Sequence, residues 1–175
     1  MATNLTMGFS LSGAMLRALD LTNVVDTLST NDTFAPLVYT FASGTSSGQF
    51  DNWWHDSRTV TATTADDLDL RGGTVSTKLN LILDFQKIKL GVISIRSPDG
   101  TKSLQVGPKG VTNAWQGPWG GVGATVYTTV FHSHVFAFDP YTGFAVTAGT
   151  GDILGIYNPG ASSVTFDIFL LGIQA

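Results

Sequence analysis

The residues best placed for chemistry in this chain are His132 and His134. In the run His132-Ser133-His134 the imidazoles are two positions apart, so a strand would place both on one face. With an Asp nearby they could ligate a metal ion, but two ligands are not a site and the sequence does not indicate a third. We therefore expect no metal site and no cofactor, and leave open whether these two histidines bind a metal.

Two further patterns suggest chemistry and have simpler explanations. His55 precedes Asp56, and a His beside an Asp could act as a general base. Neighbouring residues on a strand face opposite ways, so His55 and Asp56 would not pair. We therefore favour a structural role, in which the preceding Trp-Trp pair is an aromatic anchor. An acidic group could attract Ca²⁺, but its spacing does not match the EF-hand pattern and a solvated turn is favoured. That group consists of Asp66, Asp67 and Asp69.

Motifs of the common enzyme classes are missing from the sequence. It contains no Gly-x-Ser-x-Gly elbow, no phosphate-binding loop and no Glu, and the glycine-rich run 149–155 is not followed by a helical pattern. A Ser/His/Asp triad stays open, because its members can be distant in sequence. With three His and no Cys, however, we expect no enzymatic activity, and a hydrolase is the weakest of our hypotheses.

The composition favours strands and a protein partner. The 13 acidic residues are all Asp, and the chain holds 23 Thr, 14 Ser and 20 Gly, which suit strands and turns. Charged residues make up 13% of the chain and the net charge is −4. Nucleic-acid binding needs clustered Lys and Arg, so it is not expected. A weakly charged, aromatic-rich surface is easier to desolvate against another protein.

The N-terminus does not predict export or membrane insertion. The run MATNLTMGFS has no basic region and no continuous apolar core of the kind found in signal peptides. The longest apolar runs are also too short to span a bilayer. We expect neither a leader nor contact with a membrane.

Alternating apolar residues predict about ten to twelve short strands. The clearest alternation lies at 4–11, with further strands expected at 14–21, 24–28, 36–42, 57–64, 79–96, 101–106, 124–131 and 134–138. The run 79–96 predicts two strands or one bent strand, and the turn 97–100 predicts a hairpin with 101–106. The segments 153–157 and 164–170 predict a final hairpin. This pattern predicts an all-β fold: an antiparallel β-sandwich or jelly-roll-like domain with an extended N-terminal β segment.

The small-residue run 43–52 is the predicted boundary between two parts. We expect an N-terminal β segment or arm at 1–42, a flexible loop at 43–52 and the sandwich body at 53–175. The irregular loop 107–123 carries Trp115 and Trp119, which either anchor an interface or fold back over the core. Our candidate interface residues are Trp53, Trp54, Trp115, Trp119, Phe131 and Tyr141.

Several runs resemble a family of virion structural proteins of tailed bacteriophages. The residues 54–59 (WHDSRT) and 66–70 (DDLDL) are similar to that family's "WHDTRT…EDLDL". The residues 144–154 (FAVTAGTGDIL) and 163–168 (SVTFDI) are similar to its "YAVTAGTADLLKI" and "SVTYDI". The similarity covers both ends and most of the chain and is weakest over 97–135. These runs are strand and turn patterns, and none of them is a catalytic or ligand-binding motif.

The resemblance implies a capsid decoration, or cement, protein that binds the major capsid protein lattice and stabilises it. Such a protein would lie on the capsid exterior after assembly in the host cytoplasm. It would form a homo-oligomer, with a trimer as our expectation. The alternative is a receptor- or glycan-binding module of a tail or head fibre, in which exposed aromatic rings stack on sugars.

Overall fold

A computed structural model describes residues 5–9, 37–72, 84–96 and 100–175. The described residues form twelve strands and one short 3₁₀ helix, at Gly117–Trp119. The strands are β1 (Leu5–Phe9), β2 (Leu37–Ser43), β3 (Gln49–Phe50), β4 (Asn52–Val60), β5 (Ala65–Asp69), β6 (Phe85–Ile95), β7 (Leu104–Gly107), β8 (Thr128–Val130), β9 (Ser133–Phe138), β10 (Phe144–Ala145), β11 (Ile153–Tyr157) and β12 (Val164–Gln174). Over these ranges no helix is long and apolar enough to cross a membrane.

Two antiparallel sheets form the body of the protein. The five-stranded sheet has the order β10-β6-β12-β4, and β9 also pairs with β6. The four-stranded sheet has the order β5-β11-β7-β8. One buried apolar cluster draws residues from both sheets, so the two sheets pack face to face. The predicted all-β antiparallel sandwich is confirmed.

The strand β12 shows why this sequence makes a sandwich. Along its first half the buried residues Val164, Phe166, Ile168 and Leu170 alternate with half-buried ones. The period of two places the buried set on the inner face, against the four-stranded sheet. Burying each such side chain contributes about 1.5–3 kcal/mol. The strand lies between β4 and β6, which makes it the centre of its sheet.

The last two strands do not form the predicted hairpin. The strand β11 pairs with β5 and β7 in the four-stranded sheet, whereas β12 pairs with β4 and β6 in the other sheet. Residues 158–163 therefore cross from one sheet to the other. Alternation in the sequence identifies strands with one buried face, but it does not say which sheet each strand joins.

The second predicted hairpin is also wrong, for the same reason. The strand β7 pairs with β11 and β8 and not with β6, so the chain changes sheets between 96 and 104. The strand β6 is a single strand of 11 residues that begins at Phe85. The predicted strands at 14–21 and 24–28, the first part of 79–96 and most of the turn 97–100 lie outside the described residues.

The predicted boundary segment is hydrogen-bonded to the body. The backbone N–H of Gly48 donates to the carbonyl of Pro140 at 3.0 Å, and that of Asp51 donates to Gly172 at 3.2 Å. Phe50 packs in a cluster on the outer face of the five-stranded sheet. The strand β3 pairs in parallel with the end of β2. The N-terminal strands thus join the body through a segment that the body holds, and the division into arm and body stays a prediction.

Candidate interaction surface

The outer face of the five-stranded sheet has an apolar half and a polar half. The register places Trp53, Leu171, Leu90 and Phe138 in one row across the strands and His55, Phe169, Val92 and Val135 in the next. The following row is polar and consists of Ser57, Asp167, Ser94 and Ser133. This division follows the sequence of β12. Its outward-facing residues are polar in the first half of the strand, at Thr165 and Asp167, and apolar in the second half, at Phe169 and Leu171.

The described part of the chain covers the apolar half only partly. Phe41 and Phe50 from the N-terminal strands bury Leu90 and Leu171. The remaining apolar side chains stay half-buried or exposed; we call them the outer-face patch. The patch consists of Trp53, Val92, Val135, Phe138 and Phe169. An uncovered apolar area on one face of a sheet is typical of a protein contact site.

Trp53 is the most prominent side chain of the patch. It is 57% exposed, and its ring stacks on that of Phe169 with centroids 6.3 Å apart and an interplanar angle of 26°. The stack holds the indole against the sheet, so little side-chain entropy would be lost when a partner covers it. Rigid aromatic side chains of this kind often dominate the binding energy of an interface.

The polar half of the same face is tied together by side-chain contacts. Arg96 Nε donates to Asp167 Oδ2 at 2.8 Å, and the hydrogen bond from Arg96 lowers the pKa of Asp167. The hydroxyls of Ser94 and Ser133 lie 2.8 Å apart. Because these side chains are already paired with one another, the polar half has less to gain from a protein contact than the apolar half.

The structure places two predicted interface residues in the core. Trp54 points inward from β4 and is buried. Trp115 is 1% exposed, and its Nε1–H donates to the carbonyl of Ala145 at 2.8 Å. Neither side chain can anchor a partner in this fold, so both are corrections to the predicted set. The reason for Trp54 is strand alternation, which sends it inward because its neighbour Trp53 faces outward.

Trp119 also folds back over the body instead of facing outward freely. It stacks on Phe136 at 6.0 Å and 12°, and its Nε1–H donates to Thr128 Oγ1 at 3.0 Å. The loop 107–123 thus covers part of the core with aromatic rings. Phe131 and Tyr141 are 61% and 65% exposed, so they and Trp53 stay candidates for contact with a partner.

The histidines and aspartates do not come together as a site. His132 and His134 are both exposed, and His132 Nδ1 lies 3.1 Å from Ser133 Oγ. Among the residues that the structure describes, no three His, Asp or Glu side chains group as metal ligands. The predicted solvated turn at the acidic group is wrong, because Asp66, Asp67 and Asp69 lie on β5.

A polar groove between β4 and β5 is lined by an ion-pair network. Arg58 donates to both carboxylate oxygens of Asp66, at 2.5 and 2.9 Å, and to Asp56 at 3.2 Å. The hydrogen bond with Asp66 is the largest cause that raises the pKa of Arg58. Asp56 therefore pairs with Arg58 and not with the adjacent His55. The network joins the two sheets at one edge of the sandwich.

A buried lysine holds the segment that precedes β3. Lys89 is 1% exposed, and its Nζ donates to the carbonyl of Ser46 at 2.8 Å. Desolvation lowers the pKa of Lys89, and the charge of Lys87 adds to this, while Asp139 and Asp51 oppose it. Sequence analysis missed this residue, because a Lys inside an apolar strand looks the same whether it faces solvent or a covering loop.

The pKa of Lys89 predicts a pH effect with a definite sign. Because its pKa is lower in the folded protein, the unfolded chain binds more protons, and the free energy of unfolding rises as pH climbs towards the ordinary lysine pKa of about 10.4. In Lys89→Met this rise is absent. Urea unfolding from pH 7 to 10 checks it, with Lys102→Met as the control that keeps the rise. Parallel pH profiles for wild type and Lys89→Met would contradict the prediction.

Comparison with protein-family models, with curated proteins and with solved structures found no match for this chain.

Proposed function

We propose that this chain is a virion structural protein, a head decoration protein that binds and stabilises the major capsid protein lattice of a tailed phage. The observation that carries the proposal is the outer-face patch on the five-stranded sheet. The patch is apolar and uncharged, and its most exposed side chain is Trp53. Such a surface works by burying area against another protein. The sequence resemblance to phage virion proteins supplies the context of the capsid.

The remaining features of the molecule agree with a role by contact. The chain has few charges, and the charged residues that line the groove, Arg58, Asp56 and Asp66, are paired with one another. We propose that the protein is not an enzyme and that it acts as a homo-oligomer, with a trimer as the form expected at a local symmetry axis. Its place would be the exterior of the capsid.

The proposal predicts a change in capsid stability. Adding the protein to expanded, undecorated capsids should raise their melting temperature, because a ligand that binds only the assembled lattice stabilises it. Differential scanning calorimetry of capsids with and without the protein measures this, and the same capsids with a heat-denatured sample of the chain are the control. An unchanged melting temperature at saturating protein would count against the proposal.

A fibre module that binds receptors or glycans is the second candidate. It is favoured by the exposed rings of Trp53 and Tyr141, which are of the kind that stacks on sugars. Labelled electron microscopy of the virion separates the two functions. Label spread over the head supports decoration, whereas label at the tail tip supports adhesion.

A further inference from the structure

The strand β4 is an edge strand of the five-stranded sheet. Among the described strands it pairs with β12 alone. It is nine residues long and runs beside the polar groove, an open space of about 390 Å³ lined by residues 56–61 and 64–66. The outward side chains of His55, Ser57 and Thr59 are exposed. An accessible edge of this kind can extend a sheet by pairing with a further strand.

A backbone hydrogen bond shows which groups of β4 point away from β12. The N–H of Ser57 donates to Asp56 Oδ1 at 2.9 Å and so is not used by β12. In an antiparallel pair alternate residues bond to the same neighbour, so the backbone groups of His55 and Thr59 point to the same side as those of Ser57. The strand therefore presents the backbone groups of three alternate residues to a partner strand.

Two charged side chains decide which strand can pair at this edge. Asp56 and Arg58 lie on the inward side of β4, between the buried Trp54 and Val60. Inward charges normally protect an edge from pairing, because a partner strand would bury them without an opposite charge. A second copy of β4 that runs antiparallel and is centred on Ser57 supplies those charges. It places Asp56 opposite the second copy's Arg58, and Arg58 opposite its Asp56.

Other alignments of the same two strands lack this complementarity. Shifting the second copy by two residues places Asp56 opposite Asp56 in one direction and Arg58 opposite Arg58 in the other. Like charges directly opposite each other destabilise a sheet. The register centred on Ser57 is the only one that sets both charges against opposite charges, and it also sets Trp54 opposite Val60 on the apolar side.

We propose that β4 pairs with β4 of a second copy of this chain about a two-fold axis at Ser57, which joins two five-stranded sheets into one. A two-fold interface uses the same surface on both copies, as a self-complementary strand allows. The inference rests on the self-association proposed above and not on the capsid. Two-fold and three-fold contacts occur together in D3 hexamers, so the pairing is compatible with a trimer as the smaller unit.

The pairing needs little rearrangement within each copy. Arg58 keeps its two hydrogen bonds with Asp66 of β5 and exchanges its contact with Asp56 for one with the second copy's Asp56. Asp56 also leaves the N–H of Ser57, which then donates across the axis. The groups that would bond between the copies are therefore bonded only to their own neighbours in the single chain.

The chain has no cysteine, so one engineered cysteine tests the axis directly. In Ser57→Cys the two Cα atoms would lie about 5.5 Å apart, within the range of a disulfide. Thr59→Cys is the matched control, exposed on the same face of β4, but its two copies would lie about 14 Å apart at about 3.4 Å per residue. We expect the linked dimer to form roughly a hundredfold faster with Ser57→Cys, because pairing raises the local concentration to about millimolar.

A charge reversal tests the register with a different measurement. Adding Asp56→Arg to Ser57→Cys sets two positive charges opposite each other and leaves the Arg58–Asp66 pair in place. We expect the rate of cross-linking to fall to that of the Thr59→Cys control, with an unchanged far-UV circular dichroism spectrum. Sedimentation of the unmodified chain should show a dimer or hexamer at tens of micromolar protein.

Three results would overturn the inference: equal rates for Ser57→Cys and Thr59→Cys, a rate that Asp56→Arg leaves unchanged, or a monomer or trimer in sedimentation. Each is independent of the capsid proposal. A chain that fails to cross-link but raises the melting temperature of capsids would overturn the strand pairing and leave head decoration standing. A chain that cross-links but leaves the capsids unchanged would support the strand pairing and count against head decoration.

Discussion

Replacing Trp115 with Ala should lower the free energy of unfolding by about 3–5 kcal/mol, the range for removing a large aromatic side chain from a core. Trp115 is 1% exposed and meets the rings of Trp119 and Phe144 edge-on, at 5.9 and 6.4 Å. The substitution leaves a cavity beneath the loop 107–123. It also removes the donor to the carbonyl of Ala145. Urea unfolding followed by far-UV circular dichroism measures the loss.

Trp53→Ala is the matched control for this prediction. The same side chain is removed, but from a position that is 57% exposed, so the free energy of unfolding should change by less than about 1 kcal/mol. The same variant should weaken binding to expanded capsids, because the patch loses its largest ring. Equal losses of stability in Trp53→Ala and Trp115→Ala would show that the two residues are assigned to the wrong environments.

Asn158→Ala should lower the free energy of unfolding by about 2–4 kcal/mol, because it removes a buried amide that makes four hydrogen bonds to the backbone. Asn158 is fully buried where the chain crosses between the sheets. Its Nδ2 donates to Ser162, Thr61 and Val60 at 2.8, 3.0 and 3.2 Å, and its Oδ1 accepts the N–H of Gly160 at 2.9 Å. One amide thus fixes the crossover against the end of β4. Thermal and urea unfolding both report the change.

Asn52→Ala is the control for the same chemistry. The Nδ2 atom of Asn52 is buried and has no hydrogen-bond partner among the described residues. Truncating the side chain removes the free-energy cost of a buried, unpaired N–H donor and breaks no hydrogen bond of that donor. The free energy of unfolding should therefore stay the same or rise slightly. If Asn158→Ala is no more damaging than Asn52→Ala, the crossover does not depend on the amide network.

Some of the strands could be predicted from the sequence, and their partners could not. Period-two alternation marked β12 and the end of β2 correctly, because one buried face per strand leaves that signal. The prediction of a final hairpin is wrong, because the turn residues that follow Tyr157 suit a crossover between sheets equally well. The amide of Asn158 ties the crossover to the end of β4, and no local pattern in the sequence reveals that a distant strand end supplies its acceptors.

The candidate surface was predictable in part. The exposed Trp53, Phe131 and Tyr141 were among the predicted residues, whereas Trp54 and Trp115 are core residues. The rest of the patch was missed, although β12 carries a signal for it. Its residues 168–171 are continuously apolar, which is typical of a strand covered on both faces. That run indicates that something packs on the outer face of the sheet.

The central claim is that this protein works by burying the outer face of its five-stranded sheet and by binding a coat lattice. A cryo-EM map of expanded capsids saturated with the protein tests both parts at once. We expect density over the whole head at local symmetry axes, with Trp53 and Phe169 covered by coat protein. Capsids without added density, or bound copies whose outer face meets only solvent, would contradict the account.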